Sequence, residues 1–439
     1  MKINDLEAMD SREPTSRMCC SNTGNALARA WKKRAVHERL MRDLTKDDLE
    51  SCRLVCKSLA VLLAPSLLQD ITILFRSRAL TRPSRQAALE HIGRYIQTVT
   101  FRIPHTPETF LPPVIDGVTG TEQAFVYMPQ RHQASLSSPK YGSREMTTLL
   151  INQYPPLFHA ATDVSSFVRT LTLMKNLKHL RISCEGQTPS HRYRRSVVDY
   201  ALISLRMAVE QAPLPCLKSL SLLSIHTAAV FYLQPGIGFG ASPVSRKRWS
   251  QIENLQIHMT SFPHENGRPT DHFKLLHAYL QSFPQLKNLV FYWKGEKGLS
   301  PISLATEPCL QPTSNQAAIE LVNAATDASQ VASFIADHRS SLREVNFQGI
   351  TLRSGTWDDA LAPLTRLSGS ERWKERHASS FDVPVVLSPA GVSRRQLQKV
   401  IQAIHRRKDE LCTLAKAENF WARPDHLKRL LQASALSWR

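Results

Sequence analysis

Leu177-Lys178-His179-Leu180-Arg181-Ile182 and Leu217-Lys218-Ser219-Leu220-Ser221-Leu222 share one apolar spacing, Leu-x-x-Leu-x-Leu, and that spacing decides how the chain is read. With conservative swaps it recurs as Ile96/Val99/Phe101, Ile252/Leu255/Ile257, Leu286/Leu289/Phe291 and Leu342/Val345/Phe347. The alternation at the end of each copy puts its apolar residues on one face of a strand. Helical patterns separate the copies, over 197–211 (Val198, Leu202, Leu205, Val209), 273–280 (Leu275, Leu276, Tyr279, Leu280) and 330–338 (Val331, Phe334, Ile335). One helix-plus-strand unit cannot cover its own leucines, so such units are expected to stack into an irregular α/β solenoid with a shared core. The Asn or Cys that would satisfy each repeat's turn is missing: Glu185, Ile225, Thr260, Lys294 and Ile350 stand at those places.

Around this array the 439 residues are ordinary in composition, with 42% hydrophobic and 21% charged residues, as in folded globular domains. Fifty-six Lys+Arg against 37 Asp+Glu give a net charge of +19, which concentrates anionic partners near the surface. Residues 1–30 are polar and aperiodic and read as a disordered leader without a secretory signal's apolar core. Leu217–Leu233, the most apolar stretch, is interrupted by Lys218, His226 and several hydroxyl residues, so no membrane span is expected. Eight scattered cysteines without paired spacing fit reduced thiols, and the protein is expected inside the cell, in cytoplasm or nucleus. Pro- and Gly-rich stretches at 104–140, 236–245 and 301–313 read as loops, and 396–414 as one helix in a tail over 366–439.

Signatures of catalysis are lacking. The chain contains no GxxxxGK[ST], HExxH or GxSxG, and the glycines of Gly236-Ile237-Gly238-Phe239-Gly240 have the wrong spacing for a dinucleotide loop. Cys52 and Cys56 could share a helix face, yet no second ligand pair follows at zinc spacing, and the histidines are dispersed. Neither an enzyme, a metal nor a cofactor is expected.

Ahead of the first strand, Val36, Leu40, Met41 and Leu44 fall on one helix face. Thr45-Lys46-Asp47-Asp48 restarts a helix through a near capping box, with Leu49, Cys52, Leu54, Val55 and Cys56 as its apolar side. A third short helix, Leu59–Leu63, is expected to stop at Ala64-Pro65, and Ile71–Phe75 to be a strand. The text Leu44-Thr45-Lys46-Asp47-Asp48-Leu49-Glu50-Ser51-Cys52-Arg53-Leu54-Val55-Cys56-Lys57-Ser58-Leu59-Ala60, continuing into Ile71-Thr72-Ile73, closely resembles an F-box of the fungal type. His338-Arg339-Ser340-Ser341-Leu342-Arg343-Glu344-Val345 and Gly355-Thr356-Trp357 also look like fungal F-box proteins with a leucine-rich-repeat-like body. The family's opening Leu-Pro is replaced by Trp31-Lys32-Lys33-Arg34-Ala35.

The resemblance implies a three-helix F-box at 35–75 and an irregular leucine-rich-repeat-like solenoid at 76–365, with 104–140 inserted. It further implies a substrate-recognition subunit of an SCF-type cullin-RING E3 ubiquitin ligase. Val36, Leu40, Met41, Leu44, Leu49 and Leu54 would bind the Skp-family adaptor, and the body would hold a protein target. In strands of this pattern the intervening positions face outward. Lys178, Arg181, Lys218, Lys287 and Arg343 would therefore make a mildly basic surface for an acidic or phosphorylated segment. The competing reading is a basic repeat scaffold that binds nucleic acid or another acidic partner, but no RNA-binding motif accompanies the charge.

Overall fold

The computed structural model describes residues 43–55, 57–125, 141–186, 194–235, 245–260, 278–295, 298–300, 318–338 and 344–365, together with residues 33, 35, 36, 39, 127, 276 and 342. The expected leader and the tail beyond 365 lie outside them. Helices α1 (Lys46–Val55) and α2 (Lys57–Leu67) lead into strand β1 (Asp70–Leu74). Helix α3 (Pro83–Ile92) connects β1 to β2 (Thr98–Arg102). The small strands β3 (Val114–Ile115) and β4 (Glu122–Gln123) then precede α4 (Arg144–Gln153), α5 (Pro156–Ala161) and α6 (Val164–Thr172). Next come β5 (His179–Ser183), α7 (Val197–Gln211), β6 (Ser219–His226), α8 (Ala229–Leu233) and α9 (Ser245–Trp249). Strands β7 (Asn254–Thr260), β8 (Asn288–Lys294), β9 (Gly298–Leu299), β10 (Ala318–Val322) and β11 (Ala324–Asp327) follow. Helix α10 (Ala328–Asp337), β12 (Glu344–Gln348), β13 (Thr351–Ser354), α11 (Trp357–Ala360) and α12 (Ala362–Thr365) close the described chain.

Eight strands form one sheet in the order β1-β2-β5-β6-β7-β8-β10-β12, parallel throughout. The apolar triplets set its register. Ile71, Val99, Leu180, Leu220, Leu255, Leu289, Ile319 and Val345 make one continuous buried rung, and Ile73, Phe101, Ile182, Leu222, Ile257, Phe291, Leu321 and Phe347 the next. Each such side chain stabilises by roughly 1.5–3 kcal/mol on leaving water. Strand β6 takes an extra residue at a bulge, with Ser224 at φ 53°, which returns Ile225 to the core.

The helical layer has its own centre. Ser196 caps α7 through a capping box with Asp199, and every residue from Val197 to Val209 is buried. A helix buried on all sides needs neighbours on its outer flanks. Helices α5, α6, α8 and α9 supply them. One polar device lies in this apolar setting: Arg206, fully buried, donates to Glu210 Oε1 at 2.9 Å. Trp249 Nε1 donates to the same oxygen at 3.1 Å and Ser245 Oγ to Oε2 at 2.7 Å, fastening α9 to the end of α7.

Two expectations are corrected. The chain does not fold as a three-helix F-box followed by a leucine-rich-repeat-like solenoid. It is an α/β structure around the eight-stranded parallel sheet, whose described connections range from α3 with one 3-10 turn to the group β3, β4 and α4–α6, with a further three-stranded sheet β13-β11-β9. The helices before β1 pack into the same core: Leu49, Leu59, Leu63, Leu67 and Leu68 belong to one buried cluster with the strands. Helix α2 also runs through Pro65 instead of stopping before it. Proline forfeits one N–H donor, but burial of Leu63, Leu67 and Leu68 and the Leu68 N–H bond to the Ala64 carbonyl hold the last turn.

The Arg206–Glu210 pair yields the first prediction. Glu210→Ala leaves a buried guanidinium without its carboxylate and should cost about 3–5 kcal/mol in urea unfolding. The double variant Arg206→Met with Glu210→Leu should recover most of that loss. A double variant as unstable as the single one would show that packing around α9, not the charge, is at stake.

Candidate functional site

The second face of the sheet is polar. Opposite the leucine rungs runs the row Thr72, Thr100, Arg181, Ser221, Gln256, Val290, Glu320 and Asn346, one residue per strand. Parallel sheets are usually covered by apolar contacts on both faces. Here hydrogen bonds link the strands' side chains instead. His179 Nε2 lies 2.8 Å from Ser221 Oγ, Ser221 Oγ donates to Gln256 Oε1 at 2.9 Å, and Gln256 Nε2 lies 2.9 Å from His258 Nε2. Asn254 Nδ2 donates to Ser219 Oγ, and Asn288 Nδ2 to Asn254 Oδ1.

Of the sequence-predicted target residues, Lys178, Lys218 and Lys287 fall at the leading ends of β5, β6 and β8, and Arg181 in the middle of β5. Lys218 and Lys287 each place Nζ 2.7 Å from one oxygen of Glu253. Those two ammonium groups hold the Glu253 carboxyl below the usual range, and Glu253 in turn raises Lys218. Arg181 Nη1 donates to Asp70 Oδ2 at 2.9 Å. Lys178 is exposed and carries no ion pair among the described residues, and Arg343 lies outside them. Three of the five cations are thus satisfied within the chain.

Of the residues expected to bind an adaptor, Leu40 and Met41 lie outside the described set. Val36 is helical and half-buried, and Leu44 packs against the core. Leu49 is 6% exposed and packs into the molecule's own interior. Leu54, in contrast, is 68% exposed, beside Val55 at 72% and Val61 at 63%. Val61 escaped the sequence reading, which named Val55 on the apolar side of its helix but not among the adaptor-binding residues, although the signal was present. At about 100° per residue, Leu54 and Val55 fall on the side of α1 opposite Leu49, and Val61 opposite Leu63 on α2. The expected cap does form: Thr45 N–H donates to Asp48 Oδ2 at 3.0 Å, and Asp48 N–H to Thr45 Oγ1 at 3.2 Å.

A second constellation, absent from the sequence reading, lies at the opposite ends of the strands. His105 and His226 meet edge to face at 5.4 Å between ring centres, both buried. Ser196 Oγ is 3.4 Å from His105 Nδ1, and Asp199 Oδ1 is 3.4 Å from His226 Nε2. A hydrolytic triad would need one imidazole between hydroxyl and carboxylate. Here the hydroxyl and the carboxylate each face a different imidazole. Buried Ser196 moreover accepts the Val198 N–H, and Asp199 Oδ2 accepts the Ser196 N–H, so both serve the cap of α7. The described residues bring together no group of His, Cys, Asp or Glu able to hold a metal ion, and none of their helices is long and apolar enough to cross a membrane.

The chain matches no family model and no curated protein sequence.

Burial, reinforced by His226, pushes the His105 imidazole down to about 3. Between that value and the unfolded value near 6.5 the unfolded chain binds the extra proton, so stability rises with pH across this window and falls as acid is added. Below pH 6.5 His105 alone should remove about 1.4 kcal/mol per pH unit. Urea midpoints at pH 7, 6 and 5 check this. His105→Asn should flatten the profile by one proton's worth, and an unchanged slope would assign it to other groups.

Proposed function

We propose that the chain is the substrate-recognition subunit of an SCF-type cullin-RING E3 ubiquitin ligase, engaging a Skp-family adaptor through the F-box-like segment and a protein target through the sheet-bearing body. The observation that supports it is local. Of the six large hydrophobic side chains exposed among the described residues, Leu54, Val55 and Val61 come from the α1–α2 pair, inside the stretch whose text resembles an F-box. Apolar helix faces of this kind are what a partner's groove recognises. In this reading the ligase chemistry belongs to other subunits, and this chain supplies position. The target would meet the polar face, whose Ser, Asn, Gln and His side chains offer hydrogen bonds and little free charge. The paired state of Arg181, Lys218 and Lys287 weighs against a nucleic-acid scaffold, which needs unpaired cations along a backbone.

Co-expression with a Skp-family adaptor tests the proposal. The wild-type chain should co-purify with adaptor and cullin. Leu54→Asp with Val61→Asp should abolish capture while leaving the unfolding midpoint within about 0.5 kcal/mol of wild type, as exposed substitutions do. Leu49→Asp should instead unfold the protein, because it buries a carboxylate in the core. Full capture by the Leu54/Val61 variant, or no capture by wild type, overturns the reading.

A further inference from the structure

At the leading ends of β2, β5 and β6 the surface dips into an open cavity of about 330 Å³ lined by Arg94, Tyr95, Gln97, Asn176, Lys178 and Cys216, with Pro65 of α2 on its edge. Two of these residues are cations, both exposed, and none is acidic. That sets them apart from Arg181, Lys218 and Lys287, each of which is ion-paired within the chain. We propose that this cavity is a binding site for a phosphate monoester, with Arg94 and Lys178 as its paired charges.

The Arg94 side chain and the backbone that carries Lys178 are held in place. The Arg94 guanidinium lies over the Tyr95 ring at 4.7 Å, and the Arg94 carbonyl accepts from Asn176 Nδ2 at 2.6 Å. Stacking of this kind orients a guanidinium while leaving its N–H edge free to donate. The Gln97 carbonyl accepts the N–H groups of both Lys178 and His179, and the Lys178 carbonyl those of Lys218 and Ser219. The backbones carrying Arg94, Lys178 and Cys216 are therefore tied to one another, and the cavity is formed before any ligand arrives. A dianion matches two positive charges, and a phosphate offers several oxygens to a guanidinium fork and an ammonium at once. A carboxylate would satisfy only one of the two. The site does not rest on the ligase reading, since it can be measured on the isolated chain.

Cys216 provides the readout. It is half-buried on the cavity wall, and Cys52 and Cys184 are the other cysteines among the described residues. Alkylation by N-ethylmaleimide, followed at the Cys216 peptide by mass spectrometry, is compared in matched ionic strength of chloride, inorganic phosphate, a phosphoserine peptide and its glutamate counterpart. Phosphate and the phosphoserine peptide should both slow alkylation of Cys216, leaving Cys52 unaffected, while the glutamate peptide should not. Calorimetry with the phosphoserine peptide should show saturable binding. Arg94→Gln and Lys178→Gln should each weaken that binding about tenfold or more, at unchanged melting temperature. Protection by inorganic phosphate but not by the peptide would mean an adventitious ion only and overturn the proposal. So would equal protection by the glutamate peptide, binding that leaves Cys216 unprotected, or no binding at all.

Discussion

The carbonyl groups at the leading ends of the strands hold this molecule in register. Gln69, Gln97, Lys178, Lys218 and Glu253 each direct one backbone C=O at two successive N–H groups of the strand that follows in the sheet. A strand displaced by one residue would turn its leucines to the polar face. With the leading ends fixed, two rungs of branched and aromatic side chains meet the helices along the whole sheet. The same ties align the side chains of those positions on one rim, where Glu253 pairs with both Lys218 and Lys287, and Arg94 and Lys178 stand beside a cavity.

Lys218 and Lys287 are ion-paired along that rim, although the net charge of the chain is +19. Exposed ion pairs contribute little to stability, so Glu253 between two lysines matters more for the field it cancels than for folding. Inside, the reverse holds. Arg206 and Glu210 are removed from water, and their attraction, with the bonds from Ser245 and Trp249, must offset the loss of hydration. The arrangement fixes α9 against α7, immediately before the chain enters β7.

Much of this was legible in the sequence, and the losses have physical causes. The Leu-x-x-Leu-x-Leu triplets marked the positions and inward faces of β2, β5, β6, β7, β8 and β12, because period-two burial depends only on neighbours along the strand. They did not decide between a solenoid and a central sheet, since that depends on what joins the strands. The missing polar turn residues at Glu185, Ile225, Thr260, Lys294 and Ile350, with the unequal spacing of the triplets, were the sequence signals against regular repeats. Ion pairs such as Arg181 with Asp70 were out of reach because their partners are remote in the chain, and the same applies to the meeting of His105, Ser196, Asp199 and His226.

The open polar face is the unusual feature. Covering it with apolar contacts would have been the ordinary way to bury a parallel sheet. This chain keeps Thr72, Thr100, Arg181, Gln256 and Asn346 half-buried there and satisfies neighbouring groups through His179, Ser221 and His258. Side chains already bonded to one another lose little freedom when a partner arrives, so a ligand on this face would meet a largely prepaid surface. Burial lowers the proton affinity of His179 and His258, which favours the neutral imidazole, able to both donate and accept. Such a face discriminates through the direction of hydrogen bonds rather than through net charge, and leaves the attraction of anions to Arg94 and Lys178 at its rim.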